Sequence, residues 1–350
     1  MLLMVLVNAG SSAIYAPLRH AEWHGFTFAD WVFPSFLWIV GITTTISIGR
    51  RKATVAKSTL SKQVVMRALK LYVLGLCIYA APAFNPSTQR ILGVLQRIAI
   101  CYLAGALLYL YTSKRTQLIC IGVLLLGYWA LLMFVPAPGF RPGDLSLEGN
   151  LAHYVDRIVL GSHNYAGTKT WDPEGILSTF PALATLLIGV LMGEELARPI
   201  SLQRKMKTLF FCGAAMTVAG LLWNPWFPIN KKLWTSSFVL LVAGLDALLL
   251  PLFLFWIDVR GRHRSAKPLI VMGMNAIAIY LLSEFLDEIL SFVHFQNHFG
   301  MTSIRSWVFK TCFEPIAPPA LAALLYAAAY TFLMYLAAAW LYRRRLFLRV

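Results

Sequence analysis

Charged residues are scarce in this sequence. Asp, Glu, Lys and Arg make up 13% of the 350 residues, and 59% are hydrophobic, whereas a soluble domain carries roughly 25% charged residues. This composition excludes an ordinary soluble enzyme and predicts a polytopic membrane protein. Acidic residues are fewest, 15 against 31 Lys and Arg, so the formal net charge is +16. Because the basic residues cluster between apolar runs, we assign this charge to cytoplasmic loops and expect no nucleic-acid partner.

Cysteines and targeting signals are also sparse. The five cysteines include no CxxC pair and no Cys/His spacing typical of a metal site. Four of them lie in apolar runs, where they are interpreted as small buried side chains. Neither a disulfide scaffold nor a bound metal is therefore expected. The apolar start at 1–7 lacks the basic region and cleavage site of a signal peptide, so none is predicted.

Nine apolar runs are long enough to cross a bilayer as helices, which takes about 20 residues each. Segment 1–9 is apolar but shorter, and we interpret it as the outer half of a truncated first helix. The predicted fold is all-α, a transmembrane bundle of about ten helices in a single domain, 1–350. Gly189 and Gly193 form a GxxxG motif that favours close helix packing. The nine runs are 31–49, 64–82, 91–112, 117–135, 175–193, 208–224, 233–257, 268–292 and 319–341.

The loops alternate in their content of basic residues. The positive-inside rule places the more basic loops in the cytoplasm, and both chain termini with them. The opposite loops, including a long one at 136–174, are then expected outside the cell membrane. Nineteen of the 31 Lys and Arg residues lie in the more basic set, at 50–62, 114–115, 198–207, 260–267 and 343–349.

Polar residues inside the apolar runs are candidates for function, because a charge at the bilayer centre costs about 2.5–3.5 kcal/mol. Arg97, Asp246, Asn275 and Glu284 are such residues. An internal ion pair or a side chain that snorkels to the surface is the alternative explanation for each. For Arg97 the sequence favours binding of an anion, such as a phosphate or a carboxylate.

Compact polar segments occupy the predicted outer loops. R-H-A-E-W-H-G at 19–25 holds two histidines, and W-D-P-E-G at 171–175 and N-P-W-F-P-I-N-K-K at 224–232 lie in later loops. Carboxylates that bind hydroxyl and ammonium groups, together with tryptophan rings that stack on a sugar, would suit an amino sugar. Capping of the following helix is the alternative for Asp172 and Glu174.

Six stretches together resemble the heparan-α-glucosaminide N-acetyltransferase family and its bacterial relatives. The resemblance implies transfer of an acetyl group from cytosolic acetyl-CoA to a glucosamine amine across the membrane. The compact chain favours the bacterial inner membrane. The stretches are V-N-A-G at 7–10, P-L-R-H-A-E-W-H-G-F-T-F-A-D-W-V-F-P-S-F-L-W-I-V-G at 17–41, L-G-V-L-Q-R-I-A at 92–99, W-D-P-E-G-I-L-S-T at 171–179, N-P-W-F-P-I-N-K-K-L-W-T-S at 224–236 and G-M-N-A-I-A-I-Y at 273–280.

The resemblance also implies which residues form the site. His20 matches the family's essential histidine and Asn8 an asparagine of the same site, so both are expected to be catalytic. His24 stands where the lysosomal enzyme has asparagine, so it is not expected to be the required histidine. The remaining candidates come from the polar residues described above and not from the resemblance, and among them Arg97 is the expected contact to the acetyl-CoA co-substrate. The expected substrate-binding residues are Glu22, Trp23, Asp30, Trp171, Asp172, Glu174, Asn230, Lys231, Asn275 and Glu284.

Several chemical roles are open at this point. His20 could remove the amine proton as a general base or accept the acetyl group as a nucleophile. Asn8 could donate to the oxyanion or orient His20, and Glu22 or Asp30 could hold the imidazole or bind the sugar ammonium. The expected partners are an amino sugar or glycan and membrane lipids, with a homodimer as an option. The rival functions are a transporter of a sugar or glycolipid, an acyltransferase for another glycan, and a membrane scaffold.

Overall fold

A computed structural model of the protein describes residues 1–11, 13–81, 84–298 and 300–348, so Arg349 of the last basic loop lies outside the described residues. The described chain is mainly helical, with one short hairpin. The helices are α1 (Leu2–Ala9), α2 (Phe28–Gly49), α3 (Lys57–Ala80), α4 (Val94–Tyr111), α5 (Lys114–Phe134), α6 (Leu151–Leu160), α7 (Thr179–Ala197), α8 (Leu202–Trp223), α9 (Ser236–Leu254), α10 (His263–Met274), α11 (Ala276–Phe292), α12 (Ile304–Val308) and α13 (Pro319–Arg343).

Eight of the helices in the described ranges are long and apolar enough to cross a membrane, namely α2, α3, α4, α5, α7, α8, α9 and α13. The pair α10 and α11 passes the same test together but is bent by 66°. Each of the nine predicted runs therefore coincides with a helix or with this pair, as expected for a multi-pass membrane protein. Segment 1–9 forms α1, which has eight residues.

The bend between α10 and α11 is a feature that the run 268–292 did not predict. Asn275 leaves helical geometry there, with φ −121° and ψ 33°. Its amide donates to the carbonyl oxygen of Leu346 at 3.1 Å and accepts the N–H of Leu348 at 3.2 Å. The Asn275 side chain thus hydrogen-bonds to the chain after α13.

Four apolar clusters hold the described helices together, and two of them are large. The larger core joins α2, α4, α7 and α9 around buried residues such as Leu37, Leu186 and Phe238. The second core joins α1, α10, α11 and α13. The GxxxG prediction is confirmed, because a Cβ on Gly189 would lie 2.1 Å from the carbonyl oxygen of Trp38 in α2. Only glycine allows α7 and α2 to approach this closely.

The long predicted loop, 136–174, contains its own helix. Asn150 caps α6 by accepting the N–H of His153 at 2.8 Å, and the helix buries His153 and Asp156. A second local element is a hairpin of β1 (His294–Asn297) and β2 (Gly300–Ser303). We call the end of the bundle that carries 136–174 the predicted outer end.

Candidate functional site

The segment between α1 and α2 brings a histidine to a buried carboxylate. Nδ1 of His20 lies 2.8 Å from Oδ1 of Asp30, whose side chain is 1% exposed. The other carboxylate oxygen accepts the N–H groups of Ala21 and Thr27 and the Thr27 hydroxyl, at 2.9–3.1 Å. Thr27 and Asp30 form the capping box of α2, so the start of this helix also positions the carboxylate.

Asp30 determines the orientation of the His20 imidazole. An ionised carboxylate can only accept hydrogen bonds, so Nδ1 of His20 donates its proton to Asp30 and Nε2 is the free base of the neutral ring. The His20 side chain is 46% exposed, which leaves the ring open to a reactant. Of the two acids that the sequence offered for this role, the structure brings Asp30 to Nδ1. The Glu22 side chain is exposed, and its backbone carbonyl accepts a hydrogen bond from Lys232.

Lys231 lies beside the same pair of side chains. Its Nζ is 3.2 Å from Nδ1 and 3.4 Å from Nε2 of His20, and 3.8 Å from Oδ1 of Asp30. Burial lowers the pKa of Lys231, although the charges of Asp30 and Glu174 oppose this effect. The loop after α8 therefore places a lysine with a lowered pKa next to the imidazole.

Asn230 braces this loop from a buried position. Its side-chain oxygen accepts the N–H of Leu233 at 2.9 Å, and its side-chain nitrogen lies 3.3 Å from Nδ1 of His24. Asn230 has no exposed surface. The structure therefore gives it a supporting position, where the sequence predicted contact with substrate.

The two acids of W-D-P-E-G both bind an arginine that the sequence analysis missed. Nε and Nη2 of Arg90 donate to the two carboxylate oxygens of Asp172 at 2.8 and 2.6 Å, and Nη2 also donates to Glu174 at 2.6 Å. The rings of Tyr79 and Tyr165 lie 4.7 and 4.6 Å from the guanidinium carbon. Burial alone would lower the pKa of Arg90, but the bond to Asp172 and the charge of Glu174 raise it. Asp172 and Glu174 are thus paired with Arg90, and Asp172 also accepts the N–H of Glu174 at 2.9 Å. Their predicted contact with substrate stays a prediction.

Arg97 lies beneath the same segment and is 1% exposed. It donates to the carbonyl oxygen of Gly175 at 3.1 Å and to Oγ of Ser178 at 2.5 Å, and its guanidinium carbon lies 4.9 Å from the centre of the Trp234 ring. Among the described residues, its Nε and Nη1 have no hydrogen-bond partner. The structure encloses Arg97 within the bundle and brings it to the turn after Glu174.

The rings of Trp23, His153 and Trp171 form an aromatic cluster that joins the long loop 136–174 to the segment before α2. The His153 ring stacks on Trp171 at 4.2 Å, and the Trp23 ring lies 5.4 Å from His153 and 6.3 Å from Trp171. Nζ of Lys232 lies about 6 Å from both tryptophan rings. Burial lowers the pKa of His153 to about 4, so this ring is neutral near pH 7. Trp171 is 6% exposed and one face of its ring is covered, whereas Trp23 is partly exposed.

Asn8 and Glu284 meet across 276 positions of sequence. The Asn8 side-chain nitrogen donates to a Glu284 carboxylate oxygen at 3.0 Å, joining the last turn of α1 to α11. Tyr79, which covers Arg90, packs against the apolar cluster that contains Met4 of α1 and Tyr280 of α11. This cluster links α1 and α11 to the side chains around Arg90.

Asn275 does not join this group. It is 1% exposed and binds Leu346 and Leu348, as described above. Asn275 lies at the bend between α10 and α11, and its predicted contact with substrate stays a prediction. Across the described ranges, no three His, Cys, Asp or Glu side chains converge as metal ligands.

Comparison with known proteins identifies the family. A family model described as heparan-alpha-glucosaminide N-acetyltransferase, catalytic, matches residues 1–222. The heparan-alpha-glucosaminide N-acetyltransferase of Mus musculus is 27% identical over 349 residues, covering 83% of this chain and 53% of the relative. The Homo sapiens protein of the same name is 27% identical over 352 residues, covering 83% and 52%. The chain therefore spans about half the length of these curated relatives. Since the family model matches more than half of it, the chain belongs to the heparan-alpha-glucosaminide N-acetyltransferase catalytic family.

Proposed function

We propose that the protein transfers an acetyl group from acetyl-CoA on the cytoplasmic side to the amine of a glucosamine-type sugar on the opposite side of a bacterial inner membrane. The observation that carries the proposal is the 2.8 Å contact between His20 and Asp30. It holds an exposed imidazole in the tautomer that a base needs. The family membership supports the reaction type, since the curated relatives are named for it.

The chemistry assigns each group a task. The sugar amine forms a bond to the thioester carbonyl carbon, the carbon–sulfur bond breaks, and the CoA thiolate leaves. Nε2 of His20 accepts the proton that the amine loses, while Asp30 stabilises the imidazolium through Nδ1. Nζ of Lys231 lies beside the imidazole, 3.4 Å from Nε2, so we assign it stabilisation of the oxyanion on the thioester carbon. A positive charge there also disfavours a substrate ammonium and favours the neutral amine.

Asn8 is assigned to the same site through Glu284. Glu284 accepts a hydrogen bond from the Asn8 side-chain nitrogen at 3.0 Å, which fixes the amide group. In this arrangement Asn8 orients a reactant or His20, and its second N–H can still donate to an oxyanion. Trp23, partly exposed beside Lys232, is the better platform for a sugar ring of the two predicted tryptophans, because His153 covers Trp171.

The test is purified protein with acetyl-CoA and a panel of amino sugars, followed by release of free thiol. We expect release with a glucosamine-type acceptor and a loss of about 10²–10⁴-fold in His20→Ala, the usual range for general catalysis. His294→Ala is the control, because His294 is an exposed histidine on β1. Near-normal thiol release in folded His20→Ala would overturn the assignment. Release with a different glycan would instead redefine the acceptor.

Direct transfer and an acetyl-histidine relay make different predictions for the first turnover. Rapid mixing with radiolabelled acetyl-CoA in the absence of sugar yields labelled protein only if His20 accepts the acetyl group. We favour direct transfer, because Asp30 and Lys231 both lie at the ring and suit proton transfer. A labelled protein that hands its acetyl group to added sugar at the turnover rate would favour the relay.

Transport of a sugar is the second candidate. The bend at Asn275 supports it, since transporters often contain interrupted helices at their binding sites. Uptake of a labelled amino sugar into proteoliposomes without acetyl-CoA would favour transport. Uptake that requires acetyl-CoA and yields acetylated sugar would favour transfer.

A further inference from the structure

A basic cavity lies among α2, α3 and α4, at the end of the bundle opposite the predicted outer end. Its volume is about 320 Å³, which is within the range of pockets that hold small ligands, roughly 300–1,000 Å³. Arg51, Arg67 and Lys70 line it together with Tyr102 and Met66. None of these residues belongs to the cluster around His20.

The positive charge of this cavity has no acidic counterpart nearby in the sequence. Between positions 31 and 143 there is no Asp or Glu at all. Over the ranges that the structure describes, none of Arg51, Arg67 and Lys70 forms an ion pair. The cavity therefore presents three cations without a protein anion to neutralise them.

The guanidinium of Arg67 is fixed in position and has an N–H group without a partner among the described residues. Its guanidinium carbon lies 5.0 Å from the centre of the Tyr102 ring, which fixes the plane of the group. Its Nε is buried and has no hydrogen-bond partner in the described part of the chain. Arg51 is fixed as well, because its Nη2 donates to the side-chain oxygen of Gln63 at 2.7 Å. A buried guanidinium N–H without a partner is a group that a phosphate oxygen would satisfy.

The rim of the cavity continues onto an apolar surface. Met66 lines the cavity and is 53% exposed, and Leu69 and Val73 on the same helix are 54% and 47% exposed. In a membrane this face of α3 lies against acyl chains. A ligand with a phosphate group and an attached hydrocarbon chain would match both the cations and the rim.

We propose that this cavity binds the phosphate group of a ligand, with an anionic phospholipid as the occupant that the apolar rim favours. The phosphate of CoA is the other source of the same chemistry, and only that source rests on the proposed function. The guanidinium of Arg67 offers the phosphate a planar pair of donors, and Lys70 adds a second charge at the rim. A lipid bound here would join α2, α3 and α4 at this end of the bundle.

Native mass spectrometry of the protein taken from nanodiscs tests the lipid source. The nanodiscs contain phosphatidylcholine with a minor share of phosphatidylglycerol. We expect wild type to retain one phosphatidylglycerol molecule, and Arg67→Gln and Lys70→Gln to retain it about tenfold less strongly. Lys62→Gln is the matched control, since Lys62 is an exposed lysine of α3 outside the cavity. Arg67→Lys keeps the charge and checks that the fold tolerates a change at this position.

Equilibrium binding of CoA and of pantetheine, in nanodiscs of phosphatidylcholine alone, tests the other source. If CoA supplies the phosphate, Arg67→Gln weakens binding of CoA about tenfold and leaves pantetheine unaffected. The proposal is overturned if the cavity variants retain phosphatidylglycerol and bind CoA as wild type does. It is also overturned if Lys62→Gln loses as much binding as they do. Both experiments measure binding and not acetyl transfer. A protein that binds phosphate in this cavity but transfers no acetyl group would therefore contradict the proposed function and leave this proposal standing.

Discussion

At the scale of single residues, the carboxylate of Asp30 is the most constrained group of the candidate site. It accepts hydrogen bonds from His20, Ala21 and Thr27, and it also caps α2. Three of these hydrogen bonds go to one carboxylate oxygen, and the other oxygen accepts from His20 with Lys231 3.8 Å away. We therefore propose that Asp30 acts by positioning His20, and its predicted contact with the sugar stays a prediction.

Replacement of Asp30 by Asn is the first test at this scale. An amide presents one oxygen where the carboxylate presents two, and its nitrogen can compel His20 into the wrong tautomer. We expect kcat to fall by about 10²–10⁴-fold with little change in KM for the sugar. Asp30→Glu should recover part of the rate. Equal loss in both variants, with an unchanged melting temperature, would argue that Asp30 does not act through the imidazole.

Glu284 provides the second test. If its carboxylate orients Asn8, Glu284→Gln still offers an oxygen to the Asn8 N–H but without charge. We expect a decrease in kcat of about fivefold, because a hydrogen bond to a charged group is worth roughly 1 kcal/mol more than a neutral one. Asn8→Ala should lower kcat further, and the double variant should be no worse than Asn8→Ala. Additive losses would show that Glu284 acts independently of Asn8.

At the scale of elements, α6 and the segment 171–178 form one folded unit over the bundle. Asp156 of α6 accepts the backbone N–H groups of Asp172 and Ile176 at 3.3 and 2.9 Å. His153 of the same helix stacks on Trp171. Burial raises the pKa of Asp156 to about 6 and lowers that of His153 to about 4. As the pH falls, protonation of Asp156 therefore stabilises the folded unit, whereas the buried His153 destabilises it.

The His153 response can be isolated with His153→Phe, which keeps a ring against Trp171. The unfolded imidazole takes up a proton near its usual value of 6.5, but the folded one only near pH 4. The contribution of the buried neutral imidazole to the free energy of unfolding is thus fully present above pH 6.5 and is lost as the pH falls toward 4. By pH 5 the loss should reach about 2 kcal/mol in wild type and be absent in the variant. Parallel melting temperatures from pH 7 to pH 5 would contradict this.

The sequence predicts elements better than contacts for a physical reason. A membrane span depends on the composition of about 20 consecutive residues, so each run was recognisable by itself. The helix α6 has ten residues and a polar buried side, so no run marks it. Arg90 and Asp172 are 82 positions apart, and no local sequence pattern predicts that two such distant residues pair. Of the residues predicted for the site, His20 and Asp30 are brought together, whereas Asn275 hydrogen-bonds to Leu346 and Leu348.

At the scale of the whole molecule, the site draws on both apolar cores. His20 and Asp30 stand at the start of α2, which belongs to the larger core. Asn8 and Glu284 belong to α1 and α11 of the second. A smaller cluster of Met4, Ile78, Leu95 and Tyr280 joins the two helix groups. The packing of this cluster therefore sets the distance between His20 and Asn8.

The orientation of the bundle is the last prediction. The positive-inside rule places the basic loop after α2 in the cytoplasm and the loop at 136–174 outside. In a background without the five native cysteines, single cysteines at Lys62 and Arg141 report on these loops, since both side chains are exposed. We expect a membrane-impermeant maleimide to label Arg141→Cys in intact cells, and Lys62→Cys only after the membrane is opened. The reverse pattern would place His20 on the cytoplasmic side. Acetyl-CoA could then reach it without crossing the bilayer, and the transmembrane part of the proposed reaction would fail while the chemistry at His20 could stand.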